Sequence, residues 1–228
     1  MMLATYFLIA VIVPYCIGAI PIGAVIAAIN HVDISQAGSG KTGATNVLRS
    51  VGKRAAALVL AGDVLKGVVA VSIIRLLEPV FAGADDNLDF FGVSVSVLTV
   101  ASLLASAAVI AGHVWSLYLR VVYGRWHGGR GVATAIGALA VVNPWVVLVA
   151  TLVGVPIVFI SRYVSLGSII GAATGGVMVA LMVALGQMDL LSLLFIAIAI
   201  FIIAAHRDNI ERLVNGTERK LGEKAKSS

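Results

Sequence analysis

The sequence predicts an all-α integral membrane protein with about seven transmembrane helical segments, one of them short or re-entrant. Of its 228 residues, 60% are hydrophobic and only 12% are charged, which is not the balance of a water-soluble domain. Apolar runs also repeatedly reach the length of about 20 residues that a helix needs to cross a bilayer. Both observations favour a single membrane-embedded domain over residues 1–228.

Six apolar runs divide the chain, and the fourth decides how the membrane is crossed. The runs cover residues 3–29, 55–77, 93–117, 132–161, 164–186 and 190–205. Asn143-Pro144 interrupts the fourth run, and proline breaks or kinks a helix. This run therefore forms either one kinked span or two short helices that turn at Pro144.

The distribution of positive charge favours the turn at Pro144. Lysine and arginine collect on the cytosolic side of a membrane. With a turn, all sixteen of them lie on one side except Lys66 and Arg75, whereas a single crossing splits them almost evenly. The prediction is a multi-pass plasma-membrane protein with an extracytoplasmic N-terminus and a cytoplasmic C-terminus, in which residues 132–142 are too short for a full span.

A glycine-rich polar loop after the first apolar run is the main candidate site. Residues 37–49 read A-G-S-G-K-T-G-A-T-N-V-L-R. Glycines let the backbone aim successive N–H groups at one anion, and Arg49 adds a two-pronged donor. This favours a phosphate cradle, although a flexible polar loop would have a similar composition. Residues 35–42 approach a nucleotide-binding loop, but Ser35 replaces its first glycine and no buried strand precedes it, which excludes that reading.

Three further polar clusters fall on the same predicted side. They are W-H-G-G-R-G at 126–131, R-Y-V-S-L-G-S at 162–168 and H-R-D-N-I-E-R-L at 206–213, and His113 closes the third span beside them. Each cluster alone fits ordinary interfacial residues near anionic headgroups. Together they gather glycine, hydroxyl, amide, histidine and arginine groups at one membrane face, while the opposite face has almost none.

Asp63 and Lys66 lie three residues apart in the second span, and hence on one helix face. Lys66 is roughly 18 Å along the helix from its cytosolic end. An unpaired charge at that depth costs at least about 2.5–3.5 kcal/mol. We therefore expect the two side chains to pair, either to brace the loop or to contact substrate.

These motifs together resemble the bacterial acyl-phosphate:glycerol-3-phosphate acyltransferase family, a group of seven-helix membrane enzymes. The resemblance covers most of the chain and rests on G-A-I-P-I-G (18–23), S-G-K-T-G-A-T-N-V-L-R (39–49), G-D-V-L-K-G (62–67), G-H (112–113), G-G-R-G-V-A-T (128–134), R-Y-V-S-L-G-S, H-R-D-N-I-E-R-L and G-T-E-R-K-L-G (216–222). It implies acyl transfer from an acyl phosphate to the primary hydroxyl of glycerol 3-phosphate, giving lysophosphatidic acid and inorganic phosphate for phospholipid biosynthesis.

The resemblance also implies roles for individual residues. The expected catalytic residues are Ser39, Arg49, His206 and Asn209. The expected substrate-binding residues are Lys41, Thr45, Asn46, His127, Gly128, Gly129, Arg130, Ser165 and Ser168. Asp63, Lys66 and His113 are expected to be structural residues that hold the site in shape next to the substrate-binding residues.

The chemistry that the family performs needs no side-chain nucleophile, because an acyl phosphate is already activated. The proton of the attacking hydroxyl goes either to His206 or to the substrate's own phosphate, and the sequence leaves both open. No metal, cofactor or nucleic acid is expected. The expected partners are glycerol 3-phosphate, acyl phosphate and membrane lipids.

The chain departs from the family pattern at four places. Lys41 stands where the family usually has asparagine, and residues 127–131 read H-G-G-R-G in place of K-G-G-K-G. Ser116 replaces an expected proline, and the stretch 113–127 is about five residues longer. The departures lie at the phosphate sites, so they bear on donor specificity more than on fold.

Two other functional classes remain open, a small-anion transporter or channel and a non-catalytic partner in lipid synthesis. Broken helices and buried charge pairs also occur in transporters. The two halves show no repeat, however, and the polar groups collect at one interface instead of the midplane. A non-catalytic partner would tolerate loss of Ser39 or His206.

Overall fold

The computed structural model describes residues 1–81, 87–90, 93–126 and 128–223, and its regular structure is almost entirely helical. The helices are α1 (Met2–Ala19), α2 (Ile22–Ile29), α3 (Ala44–Ser50), α4 (Lys53–Phe81), α5 (Val97–Val114), α6 (Leu117–Tyr123), α7 (Val132–Val142), α8 (Pro144–Ser161), α9 (Val164–Ala184), a 3₁₀ helix (Leu190–Leu194), α10 (Phe195–Ala205) and α11 (Arg207–Val214). The predicted all-α fold class is confirmed.

A small hairpin is the one departure from helix in the described residues. Strands β1 (Asn87–Phe90) and β2 (Val93–Ser96) pair antiparallel, with Asn87 opposite Ser96. The third apolar run was expected to be helical from residue 93, but the helix begins only at Val97. Ser96 sets that start, because its Oγ accepts a hydrogen bond from Leu98 N at 3.2 Å and so caps α5.

Five helical units are long and apolar enough to cross a membrane: Met2–Ile29, Lys53–Phe81, Val97–Val114, Pro144–Ser161 and Val164–Ala184. The pair Leu190–Ala205 and Arg207–Val214, bent by 54°, makes a sixth if it is one span. Helix α7 is apolar but has only 11 residues. Counted with it, the described residues hold seven membrane segments, one of them short, as the sequence predicts.

Asn143 explains the break in the fourth apolar run. Its Oδ1 accepts hydrogen bonds from Trp145 N at 3.1 Å and Val146 N at 3.3 Å, which caps α8. Pro144 is the first residue of α8, where its missing N–H leaves no hydrogen bond unmade. The run therefore forms two helices, α7 and α8, and not one kinked span.

Glycines set the crossing of α4 and α7, which brings the short helix against a full span. Gly67 lies against the backbone of Thr134 and Ala138, and Gly137 lies against the backbone of Val64. A methyl group at either glycine would overlap that backbone. The two helices therefore approach more closely than other residue types permit, a packing typical of membrane helices.

Large apolar side chains cover the outside of the bundle. Leu65 and Leu76 on α4, Phe159 and Ile160 on α8 and Ile200 on α10 are all more than half exposed. In water a protein with such an exposed apolar surface would aggregate, whereas in a bilayer the surface contacts lipid chains that are equally apolar. Most polar residues lie at the ends of helices and in the loops between them, and Asp63 and Lys66, which lie within the α4 span, are buried.

Candidate active site

Segments that are distant in sequence meet around one cavity of about 170 Å³. Its wall includes most of the predicted site residues: Ser39, Lys41, Thr45, Asn46, Arg49, Asp63, His113, Gly129, Arg130, Ser165, Ser168, His206 and Asn209. Gly128 and Lys66 are not in the wall, and His127 lies outside the residues that the structure describes. The helix ends and loops chosen from the sequence thus form one site.

The second half of the predicted glycine-rich loop is helical, and Asn46, on α3, shapes the first half. Its Oδ1 accepts a hydrogen bond from Ser39 N at 3.0 Å, and its Nδ2 donates to the carbonyls of Ala37 and Lys41, both at 2.9 Å. Gly38 has a φ of 61°, which favours glycine, and a methyl group there would overlap Asn46 Oδ1. Asn46, predicted to bind substrate, therefore uses its side chain to hold the loop in shape.

Four cationic side chains line the cavity, and they are Lys41, Arg49, Arg130 and Arg212. Burial, and then repulsion from Arg212, lowers the pKa of Arg130, but a guanidinium stays charged at neutral pH. Arg130 Nε is buried without a hydrogen-bond partner in the described part of the chain. Such a donor suits an anion with several oxygen acceptors.

Lys41 lines the cavity, and its side chain approaches that of Asp208 at the start of α11. Lys41 Nζ and Asp208 Oδ2 are 3.8 Å apart, and the side chains are 27% and 49% exposed, so the ion pair is weak. Burial, followed by repulsion from Arg130, lowers the pKa of Lys41. Lys41 therefore adds a cation that Asp208 only partly neutralises.

Glu218 ties three site residues together, although the sequence did not single it out. Its Oε1 accepts from Ser165 Oγ at 3.1 Å and Asn209 Nδ2 at 2.8 Å, and its Oε2 accepts from Arg212 Nε at 2.8 Å. Burial raises the pKa of Glu218, but these hydrogen bonds, led by Arg212, outweigh it and leave the pKa below its usual value. Glu218 is thus an ionised acceptor at the cavity wall.

The segment that follows α11 folds back over the site and carries Glu218 with it. Arg49 Nη2 donates to the Arg219 carbonyl at 3.0 Å. Arg162 Nη2 donates to the Leu221 carbonyl at 2.9 Å, and Leu221 N donates back to the Arg162 carbonyl at 2.6 Å. This segment therefore joins α3 and the α8–α9 turn.

His206 lies at the junction of α10 and α11, with its Nδ1 2.7 Å from the Ile202 carbonyl oxygen. A carbonyl can only accept, so Nδ1 carries the hydrogen and the lone pair of the neutral ring is on Nε2. Burial lowers the pKa of His206 to about 4, with the Ile202 bond opposing this and Arg130 adding to it. The ring is therefore neutral at pH 7 and offers an acceptor for a proton.

The predicted pairing of Asp63 and Lys66 is confirmed, with Lys66 Nζ 2.7 Å from Asp63 Oδ1. Lys66 Nζ is also 2.7 Å from His113 Nδ1 and 3.3 Å from the Ile20 carbonyl. The three side chains are at most 6% exposed. Asp63 and His113 reach the cavity, so this cluster lies directly beneath the site.

An apolar groove of about 170 Å³ lies next to the cavity, between α7, α8, α9 and α10. Val132, Ile136 and Ser168 line both the cavity and the groove. Gly171 and Gly175 also line the groove, and neither has a side chain to fill it. A cationic cavity beside an apolar groove suits a molecule with an anionic head and a hydrocarbon tail.

A wider cavity of about 490 Å³ lies on the other side of the glycine-rich loop. Ser39 and Lys41 line both this cavity and the site. Tyr123, at the end of α6, and Arg125, just after it, also line this cavity. The loop thus separates the site from a space large enough for a small polar molecule.

The fold and the site define a multi-span membrane protein with a cation-lined cavity next to an apolar groove. A family model described as glycerol-3-phosphate acyltransferase matches residues 8–216. The chain belongs to this family, as its motifs predict.

Individual relatives and structures agree with this assignment. The chain is 40% identical over 221 residues to a glycerol-3-phosphate acyltransferase of Clostridioides difficile, covering 96% of this chain and 97% of the relative. It is 39% identical over 217 residues to glycerol-3-phosphate acyltransferase 1 of Deinococcus radiodurans, covering 95% and 96%. The crystal structure of PlsY, an integral membrane glycerol 3-phosphate acyltransferase, in its glycerol 3-phosphate form matches with a TM-score of 0.73 and 35% identity, covering 95% and 96%.

Proposed function

We propose that this protein transfers a fatty acyl group from an acyl phosphate to the primary hydroxyl of glycerol 3-phosphate. The products are lysophosphatidic acid and inorganic phosphate. The observation that carries the proposal is that a cation-rich cavity, where Arg130 Nε has no partner among the described residues, shares wall residues with an apolar groove. PlsY has been crystallised in glycerol 3-phosphate and lysophosphatidic acid forms, which supports the same substrate and product here.

The two substrates enter from different directions in this proposal. The hydrocarbon chain of the acyl phosphate lies in the groove between α7 and α10, and its phosphate lies against Arg130 at the end shared with the cavity. Glycerol 3-phosphate comes from the wider cavity past Ser39 and Lys41. Arg49 and Lys41 then balance the second phosphate, because two phosphates in one cavity would otherwise repel each other.

The reaction needs positioning, charge neutralisation and one proton transfer. The hydroxyl oxygen of glycerol 3-phosphate attacks the acyl carbon, and His206 Nε2 takes the hydroxyl proton. The bond between the acyl carbon and the phosphate oxygen then breaks, and the proton passes to the leaving phosphate. Arg49 and Arg130 stabilise the negative charge, while Glu218 orients Asn209 and Ser165.

We further propose that residues 1–228 form a single domain of the plasma membrane, with the N-terminus extracytoplasmic and the C-terminus cytoplasmic. The support is the distribution of lysine and arginine, which collect on the cytosolic side of membrane proteins. The loop of residues 30–43, the 128–131 segment and α11 all contribute to one cavity, so their cations lie at the same end of the bundle. Water-soluble glycerol 3-phosphate would then reach the site from the cytosol.

One experiment separates this function from its rivals. Purified protein in detergent is given synthetic palmitoyl phosphate and labelled glycerol 3-phosphate, and labelled lysophosphatidic acid is measured. Ser39→Ala, Arg49→Ala and His206→Ala should each lower turnover at least about 100-fold, the scale of one positioned catalytic group. Failure to form product with well-folded protein would reject the enzyme, and phosphate flux in proteoliposomes would then favour an anion transporter.

A further inference from the structure

The ammonium group of Lys66 has three hydrogens, and the cluster beneath the site uses all three. Asp63 Oδ1 and His113 Nδ1 each lie 2.7 Å from Lys66 Nζ, and the Ile20 carbonyl lies 3.3 Å away. All three partners accept, which completes the hydrogen bonding of an ammonium group. The negative charge of Asp63 balances the positive charge of Lys66, so the cluster needs no further charge in the membrane.

This arrangement determines which nitrogen of His113 carries the hydrogen. An ammonium group can only donate, so Nδ1 of His113 must accept from Lys66. The distance from Nδ1 to Asp63 Oδ1 is 3.4 Å, longer than the 2.7 Å to Lys66, which agrees with Nδ1 as an acceptor. A neutral imidazole with an acceptor at Nδ1 carries its hydrogen at Nε2.

The Nε2 edge of His113 lies against Gly129, in the loop that forms part of the cavity wall. A methyl group at Gly129 would overlap Nε2 and stand 2.8 Å from Cε1. Both His113 and Gly129 line the cavity that also holds Arg130. Among the described residues, Nε2 makes no hydrogen bond, although Nδ1 is fully engaged.

The geometry points to His113 as an additional substrate-binding residue, whose Nε2–H donates to a phosphate or acyl oxygen of the bound substrates. Asp63 and Lys66 are positioning residues that hold the ring in the donor tautomer. Glycine at position 129 has no side chain that would displace the ring or cover Nε2. The identity of the acceptor oxygen rests on the proposed acyl transfer. The tautomer of His113 does not, because it follows from the contact with Lys66.

Two substitutions separate a binding role from a structural one. His113→Asn places an amide oxygen near the position of Nδ1, so it still accepts from Lys66 but has nothing at Nε2. His113→Gln reaches the Nε2 position with an N–H but leaves Lys66 without that acceptor. A donor to substrate predicts that Gln retains more activity than Asn, whereas a purely structural role predicts the reverse.

The expected size of the effect follows from a hydrogen bond to a charged group. His113→Asn should lower kcat/KM about 10–100-fold, while its thermal unfolding stays close to that of the unmodified protein. The KM values for acyl phosphate and for glycerol 3-phosphate, measured separately, show which substrate carries the oxygen that accepts from Nε2–H. If the Asn variant is as active as the Gln variant, or more active, the assignment of Nε2 as a donor is overturned.

Gly129→Ala tests the contact between the ring and the loop. In the unmodified background its methyl group must displace the imidazole, so kcat/KM should fall at least about tenfold. In a His113→Asn background the methyl group has room. Adding Gly129→Ala to that variant should therefore lower its kcat/KM by less than about threefold. Equal losses in both backgrounds would show that Gly129 and His113 act independently and would contradict the proposal.

A spectroscopic test works whether or not the protein proves to be an acyltransferase. The sequence contains 4 histidines, so ¹⁵N-histidine spectra in nanodiscs can be assigned with single substitutions. We expect His113 to be protonated at Nε2, and its N–H signal to shift on addition of inorganic phosphate or a non-hydrolysable acyl phosphonate. A hydrogen on Nδ1, or an unmoved His113 signal while His206 responds to the same probe, would overturn the inference.

Discussion

Glu218 Oε1 lies 2.8 Å from Asn209 Nδ2, so a residue beyond the last helix orients a residue on that helix. The bond leaves Asn209 Oδ1 as the free end of the amide, and this oxygen is buried without a partner among the described residues. An oriented acceptor at the cavity wall suits a substrate hydroxyl. The segment after α11 therefore contributes to the site through Glu218.

Replacement of Glu218 by glutamine should disturb both stability and activity. The amide keeps the shape but loses the charge that Arg212 Nε approaches at 2.8 Å, and it cannot accept at both ends. We expect a loss of about 1–3 kcal/mol in unfolding free energy and at least a tenfold fall in kcat/KM. Denaturant titration in detergent and the acyltransferase assay measure the two effects.

Arg212→Lys is the matched control for this prediction. Lysine keeps the positive charge opposite Glu218 but not the planar guanidinium, and Arg212 is 38% exposed, so little stability should be lost. A Glu218→Gln variant as stable as this control and as active as the unmodified protein would contradict a structural role for the carboxylate.

Local chemistry explains why part of the site could be predicted from the sequence. Asp63 and Lys66 are three residues apart, and the cost of burying either one alone in a bilayer requires them to pair. Ser165 and Glu218, in contrast, are separated by 53 positions and no periodic pattern links them. Glu218 stands in a polar segment after the helices, where a carboxylate usually faces water.

Asn46 shows a second limit of sequence reasoning. Asn46 lies on α3 and lines the cavity, but its hydrogen bonds to Ser39, Ala37 and Lys41 hold the loop that precedes this helix. Residue type and position do not tell an amide that binds substrate from one that holds the backbone, because both need the same donors and acceptor. Only the fold decides which partners come within reach.

His206 should make the protein less stable in mild acid. Its pKa is about 4 in the folded protein, below the value near 6.5 of an exposed histidine, so the unfolded chain binds the extra proton first. Stability is then fully present above pH 6.5 and falls as the pH drops toward 4, by about 3 kcal/mol at most. Unfolding midpoints of the unmodified protein and His206→Gln across this range measure the contribution.

The comparison with His206→Gln removes the effect of other titrating groups. Glutamine has no proton to gain. As the pH falls, the unmodified protein should therefore lose unfolding free energy relative to His206→Gln. Parallel curves from pH 7 to 4 would mean that His206 titrates normally and is not held neutral by its surroundings.

Lys41→Asn should weaken binding of glycerol 3-phosphate with little effect on stability. The ion pair with Asp208 is long and partly exposed, so its loss should cost under about 1 kcal/mol. The lost cation should raise KM for glycerol 3-phosphate about 3–10-fold, because a charge-assisted contact to phosphate disappears. Asp208→Asn is the control, since it removes the ion pair but keeps the cation, and its KM should stay the same or fall.

The proposed topology predicts which loops a membrane-impermeant thiol reagent can reach. In a Cys16→Ala background, single cysteines replace Gln36 in the glycine-rich loop region and Gln187 after α9, both of which are exposed. In intact cells Gln187→Cys should be labelled and Gln36→Cys should not, because the first faces outward and the second the cytosol. Both should react after the cells are opened, and labelling in the opposite order would reverse the topology.

The groove between α7 and α10 should set the acyl-chain preference. Gly175 lines it, and a methyl group there would stand 3.7 Å from Ala150 Cβ, an ordinary contact, so the first added carbon leaves the α8–α9 packing intact and we expect a longer side chain to occupy the groove. Gly175→Leu should lower kcat/KM for palmitoyl phosphate at least about tenfold and for octanoyl phosphate much less, because each excluded methylene costs about 0.8 kcal/mol. Val177→Leu is the matched control, since Val177 lies on the same helix but is 69% exposed on the outside. An unchanged ratio between long and short donors in Gly175→Leu would place the acyl chain elsewhere.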